Sequence, residues 1–148
     1  MKKSILLVVV SVLTLGLLTG CSNKKEKISA DDFYNKIGPN YSLVDISNKL
    51  DYVKKAYYYD SEGITFYFYE GNRMFDMGNI YIDEVNNVAN NMFNKEDEID
   101  KGENYSSIKI WNDESYYRIA YVDNTLLYVK AISDYKARAD DIFEKCGY

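Results

Sequence analysis

The stretch from Val53 to Glu70 limits what this chain can fold into more than any other. Ile64, Phe66 and Phe68 alternate with Thr65, Tyr67 and Tyr69, the period of two that sends alternate side chains to opposite faces of a β-strand. Val53 to Tyr59 is a second run of β-branched and aromatic residues, and Asp60-Ser61-Glu62-Gly63 between the runs is a turn sequence. Strands joined this tightly pair antiparallel, because a parallel pair needs a crossover of a dozen or more residues.

The remaining elements fall on either side of this hairpin. Ser29 is placed to cap a short helix, Asp32 completes an S-x-x-D capping box, and Ile28 can staple onto Phe33. Gly38-Pro39 ends that helix, and Tyr41 to Ile46 is a short extended segment. After the hairpin, Met74, Met77, Tyr81, Val85, Val88 and Met92 recur at intervals of three and four, the stripe of an amphipathic helix. Asn86, Asn87, Asn90 and Asn91 fall on its outer side, and Gly78 is a place for it to bend or begin. Asn94 to Asn104 reads as a charged loop. Tyr105 to Trp111, Tyr116 to Asp123 and Thr125 to Ala131 read as a three-strand meander with turns at Asn112–Ser115 and Asp123-Asn124. A last helix from Ser133 or Asp134 buries Ala139, Ile142, Phe143 and Cys146 and stops at Gly147. The expected fold class is α+β: an antiparallel sheet of about five strands with helices packed on one face, in the order α-β-β-α-β-β-β-α.

The amino-terminal segment has a different character. Lys2 and Lys3 precede an apolar run from Ile5 to Leu18, the layout of a secretory signal. As a helix of about 14 residues it would span roughly 21 Å, short of the ~30 Å hydrocarbon core of a bilayer. The run closes on Leu18-Thr19-Gly20-Cys21, which resembles the lipobox of bacterial lipoproteins. In general layout the chain is similar to uncharacterised small lipoproteins of low-GC Gram-positive bacteria. The resemblance implies that Leu18, Thr19 and Gly20 are read as a signal. It also implies that the chain is cut before Cys21, whose thiol carries a diacylglyceryl group. Residues 1–20 would then be signal peptide, 21–28 the lipidated cysteine and a flexible tether, and 29–148 one extracytoplasmic domain held at the cell membrane.

Charge and residue usage exclude several function classes. Without Lys2 and Lys3 the chain has 16 basic against 23 acidic residues, a net charge of −7. Such a domain is repelled by phosphate backbones, which argues against nucleic acid as a partner. The chain contains no histidine, which removes the commonest general base and the commonest transition-metal ligand. With Cys21 lipidated, Cys146 has no disulfide partner and reads as a buried structural thiol. The acidic run Glu96 to Glu103 departs from the D-x-[DN]-x-[DN]-G calcium pattern. No catalytic residue, metal site or cofactor is expected, and the chain is not expected to be an enzyme. A hydrolase using paired carboxylates ranks third among the functions considered.

The candidate partner surface comes from strand parity. If Ile64, Phe66, Phe68, Ile108, Ile110, Ile119, Leu127 and Val129 face the helices, then Tyr67, Tyr69, Trp111, Tyr116, Arg118 and Tyr128 face away. Leu126, Lys109 and Lys130 go with that outward set. Tyr, Trp and Arg are the types enriched in recognition surfaces, although tyrosine is also an ordinary strand former on a solvated face. The expected function is therefore a lipid-anchored, non-catalytic binding module at the cell envelope. Its expected partner is an envelope protein or a wall polymer. The rival is a small-ligand or sugar-binding lipoprotein, which needs a concave site instead of a flat sheet.

Overall fold

The computed structural model describes residues 23–148. The signal segment and Leu18, Thr19, Gly20 and Cys21 lie outside the described residues. The fold is α+β, built on one antiparallel sheet of seven strands. They are β1 (Val44–Asp45), β2 (Val53–Ser61), β3 (Ile64–Gly71), β4 (Glu96–Lys101), β5 (Tyr105–Trp111), β6 (Ser115–Val122) and β7 (Thr125–Ile132). Three α-helices are described: α1 (Ala30–Ile37), α2 (Met74–Asn91) and α3 (Lys136–Cys146). Across the sheet the strand order is β1-β2-β3-β7-β6-β5-β4.

Local chemistry sets the element boundaries. The Ser29 hydroxyl accepts the Asp32 backbone N–H at 3.1 Å and donates to the Asp32 carboxylate at 2.8 Å, which closes the start of α1. The hairpin turn is two residues, with Ser61 paired to Ile64 and Gly63 at φ 88. A side chain at Gly63 would be strained at that φ and would also press on the Tyr135 ring. Gly147 caps α3 in the left-handed conformation, its N–H donating to the Glu144 and Phe143 carbonyls.

Two strands depart from the expected five, and both are edges. Val44–Asp45 forms two residues of β1 against Tyr57 and Tyr58. Glu96–Lys101, expected as a loop, is β4, paired with β5 from Glu96↔Trp111 to Lys101↔Ser106. All six of its residues are exposed, so no apolar alternation marked it in the sequence. Backbone pairing alone makes it a strand, and its charges keep the edge from recruiting another chain.

The helices occupy both faces of the sheet, not one. On the first face Phe33 of α1 stacks on Phe68 with ring centroids 4.2 Å apart, and Phe143 of α3 lies under the Arg118 guanidinium at 4.4 Å. On the second face Tyr81 of α2 accepts a hydrogen bond from Ser106 at 3.0 Å and packs edge-on against Tyr121. Phe66, Phe68, Leu127 and Val129 belong to the first core. Ile108, Ile110, Ile119 and Leu126 belong to the second, with Met77 and Val88 of α2. Each strand's apolar set was read correctly as facing a helix, but the helix is a different one for different strands. Leu126, expected to face outward, is fully buried.

This arrangement splits the expected outward surface. The register Phe66↔Val129↔Arg118↔Lys109 puts Arg118 and Lys109 on the same face as Phe66. Tyr116 is fully buried there, and its hydroxyl donates to the Asp140 carboxylate at 2.5 Å. The Arg118 guanidinium bonds the same Asp140 oxygen at 2.8 Å and the Tyr148 carbonyl at 3.3 Å. A buried ion pair is costly to break from one side, because the surviving charge is left in a poor dielectric. Arg118 is the more deeply buried partner, at 11% side-chain exposure against 26% for Asp140. Asp140→Ala is therefore expected to cost roughly 3 kcal/mol, and Arg118→Met clearly less, since Asp140 keeps water and Tyr116. Urea unfolding of the two variants measures the order.

A candidate ligand groove on the second sheet face

Helix α2 packs chiefly on β6, with lesser contact to β3, β5 and β7, and leaves part of the β3–β7 strip of its sheet face open. The uncovered strip holds Tyr67, Tyr69 and Tyr128, which parity places together with Tyr58, Tyr117 and Lys130. The tyrosines form a continuous run. Tyr58 and Tyr67 are 4.8 Å apart between ring centroids, Tyr67 and Tyr69 6.1 Å, Tyr67 and Tyr128 5.9 Å, and Tyr117 and Tyr128 6.4 Å.

Between these rings and α2 the surface is concave. A cavity of about 570 Å³ is bounded by Asn87 and Asn91 of α2, by Met92 just past its end, by the Asn112–Ser115 turn, and by Tyr117, Tyr128 and Lys130. A second, of about 320 Å³, is bounded by Tyr67, Tyr69, Glu84 and Tyr128. Tyr128 lines both, and the two adjoining cavities together make up the groove along the junction of helix and sheet. The rim is held in place. Asn112 accepts the backbone N–H groups of Glu114 and Ser115 and donates to the Phe93 carbonyl at 3.2 Å, which ties the exit of α2 to the β5–β6 turn. Phe93, 84% exposed, stands at this mouth.

The groove's electrostatics are graded. Burial, with Asp83 alongside, pushes the Glu84 carboxyl above its usual range. Burial also pushes the Tyr69 and Tyr128 phenols up, with neighbouring phenols and Glu84 adding to the effect. These tyrosines therefore remain neutral donors and acceptors, and Glu84 is a half-buried carboxylate without an ion pair or hydrogen bond among the described residues. At the other end the Lys130 ammonium lies 5.8 Å from the Tyr117 ring centroid. Aromatic faces, primary amides, the Lys130 ammonium and the carboxylates of Glu84, Asp113 and Glu114 can bind and orient a ligand. Among the described residues there is no cluster of three or more side chains able to hold a metal ion.

The candidate surface read from the sequence is thus only partly assembled. Tyr67, Tyr69 and Tyr128 come together at the groove. Trp111, Tyr116 and Arg118 sit on the opposite face, where Trp111 is half-buried with the Lys136 ammonium 4.8 Å over its ring. Glu84, Asn87 and Asn91 were missed. The signal for them was their spacing of three and four, which forms a polar stripe beside the apolar one on the same helix. Asn91 donates to Asn87 at 3.0 Å along that stripe. Cys146 is buried as expected, and burial pushes its thiol up to about 12.

No protein-family model matches the chain, and no curated protein matches it. Among solved structures, a GTP binding regulator from Thermotoga maritima aligns with a TM-score of 0.47 at 12% identity, covering 81% of this chain and 88% of that one.

Glu84 gives the groove a pH signature. A carboxyl whose pKa is raised by folding penalises the fold where it is ionised, and the penalty vanishes below its unfolded value of 4.5. Glu84→Gln is expected to unfold at higher urea than the parent at pH 7, with the two converging as the pH falls through 4.5. Equal midpoints at neutral pH would show that Glu84 is well solvated.

Proposed function

We propose that this chain is a lipid-anchored, extracytoplasmic, non-catalytic binding module of the cell envelope, and that the groove between α2 and the sheet is its ligand site. The tetrapeptide Leu18-Thr19-Gly20-Cys21 carries the address. The groove carries the binding: its larger cavity, about 570 Å³, is in the size range of small-molecule and oligomer sites.

The geometry favours a narrow ligand over a flat protein partner, because the tyrosines line a trench instead of standing on an open sheet. A strand of wall polymer, or a sugar unit of one, suits this lining. Tyrosine faces accept the apolar side of a sugar ring, and Asn87, Asn91 and Glu84 supply hydrogen bonds to its hydroxyls. The membrane is the second partner, reached through a diacylglyceryl group on Cys21.

Measurements on the anchor and on the groove test this reading. Thiol titration of the mature protein in denaturant is expected to find one reactive group, Cys146, because the Cys21 sulfur is in a thioether; two thiols would remove the anchor. Cys21→Ser is expected to leave an uncut precursor that carries no lipid. Separately, soluble wall-glycan fragments titrated onto the protein are expected to shift the amide signals of Asn87 and Asn91. Tyr128→Ala should weaken that binding about tenfold, the loss of one stacked ring. Shifts confined to other surfaces would move the ligand site elsewhere.

A further inference from the structure

The segment expected to be a free tether is bonded to the domain, and the place where it is bonded gives the domain an orientation. The Asn23 carbonyl accepts the Glu103 N–H at 3.1 Å. Lys25 exchanges two hydrogen bonds with the Asn104 amide, at 3.0 and 2.8 Å. Lys27 donates to Asn124 at 2.5 Å. Ala30 then donates to the Glu70 carboxylate at 2.9 Å and α1 begins. Residues 23–30 therefore cross one end of the sheet, over the β4–β5 and β6–β7 turns to the end of β3.

That same end carries an apolar cluster. Asn124 is joined to Gly71 by reciprocal hydrogen bonds of 2.7 Å, and the next residue, Asn72, donates to the Tyr52 carbonyl at 3.3 Å. After Asn72 and the N-cap residue Arg73 come Met74 and Phe75, in the first turn of α2. Phe75 is 71% exposed, Met74 43% and Tyr52 42%. Hydrogen bonds and short stretches of chain thus connect Asn23 with Tyr52, Met74 and Phe75 at this end of the sheet. From β5, beside Asn23, to β3, beside Phe75, is three strand spacings, about 14 Å.

The covalent chain supplies the occupant of this cluster. Asn23 is two residue steps from Cys21, with Ser22 between them, a reach of at most ~7 Å. If Cys21 carries lipid, as proposed above, the end of the sheet holding Asn23 cannot leave the headgroup layer. Charge does not oppose the approach, although the chain as a whole is acidic. Lys24 pairs with Glu103 at 2.9 Å, Lys25 with Asp100 at 3.2 Å, and Arg73 with Asp76 at 2.8 Å.

We propose that Tyr52, Met74 and Phe75 form a membrane-contact surface that enters the lipid headgroup region, so that the anchored domain stands on the membrane in one orientation. This inference rests on the lipidation of Cys21. Aromatic and thioether side chains at this depth bury apolar surface without crossing the bilayer. Anchoring makes the contact intramolecular, so three side chains suffice where a free domain would not bind. The groove's larger cavity, at the Asn112–Ser115 turn, is at the opposite end of the strands and faces away from the lipid.

The single tryptophan serves as an internal ruler. Trp111 ends β5, six residues or ~20 Å of strand from Tyr105 at the membrane end. The full-length protein, matured in cells and confirmed as lipidated by mass, is reconstituted into vesicles of phosphatidylcholine and phosphatidylglycerol with or without brominated acyl chains. The parent emission, from Trp111 alone, is expected to be unchanged by bromine. Phe75→Trp is expected to add emission that bromine quenches roughly twofold or more, the depth of an interfacial side chain. Unquenched emission from the added indole in a lipidated protein overturns the contact surface and leaves the anchor standing. Quenching of Trp111 overturns the orientation. A mass without lipid overturns the anchor on which both depend. Met74→Ser with Phe75→Ser supplies a second reading: vesicle protection of the Asn72–Asp76 amides from hydrogen exchange should be lost, and unchanged protection rejects the surface.

Discussion

Burial of the central strands from both sides is the constraint on which the rest of this structure depends. Leu126 and Leu127 are adjacent in β7, point to opposite faces, and are both fully buried. One must be covered by α2, the other by α1 and α3. Each apolar side chain removed from water in this way contributes on the order of 2 kcal/mol, so neither face can be left open without a large loss. A sheet covered on two faces leaves its edges to water. That accounts for the short β1 and the fully exposed, charged β4.

The groove follows from the same constraint. One helix of 18 residues covers the second face, where two helices pack on the first, and its apolar stripe leaves part of the β3–β7 strip open. The uncovered strip is populated by tyrosines, whose rings tolerate a half-wet position because the hydroxyl stays solvated while the ring packs. Tyr67, Tyr69 and Tyr128 stand where a core becomes a surface, and Glu84 stands among them because the same helix edge is only half shielded.

The two ends of the strands have separate characters. One end carries the start of the domain, held by Asn104 and Asn124, together with Tyr52, Met74 and Phe75. The other carries the Asn112–Ser115 turn and the larger cavity. In the proposed reading, attachment and recognition are separated by the length of a strand. The asparagine side chains at the turns tie together segments distant in sequence, Asn104 to Lys25, Asn112 to Phe93 and Asn124 to Gly71.

Much of the fold was legible in the sequence because it is written in local chemistry. The Ser29–Asp32 cap, the Glu62-Gly63 turn, the alternation of β3, the stripe of α2 and the Gly147 cap each depend on residues within a few positions of one another. Leu18 to Cys21 is a local signal of the same kind, and the sequence alone supports the anchor. Three things were decided only in three dimensions. The face to which a strand's apolar set turns depends on register across turns, which is why Ile108, Ile110 and Ile119 belong with α2 and not with Phe66. A charged edge strand such as β4 has no apolar period, because its pairing is carried by backbone. The groove exists only where a helix stops short of covering a sheet, and that shortfall is a property of two elements packed together. Composition determined which residues could recognise something; packing determined that Tyr67, Tyr69 and Tyr128 would meet Glu84 in one trench, while Trp111, Tyr116 and Arg118 went to the other side.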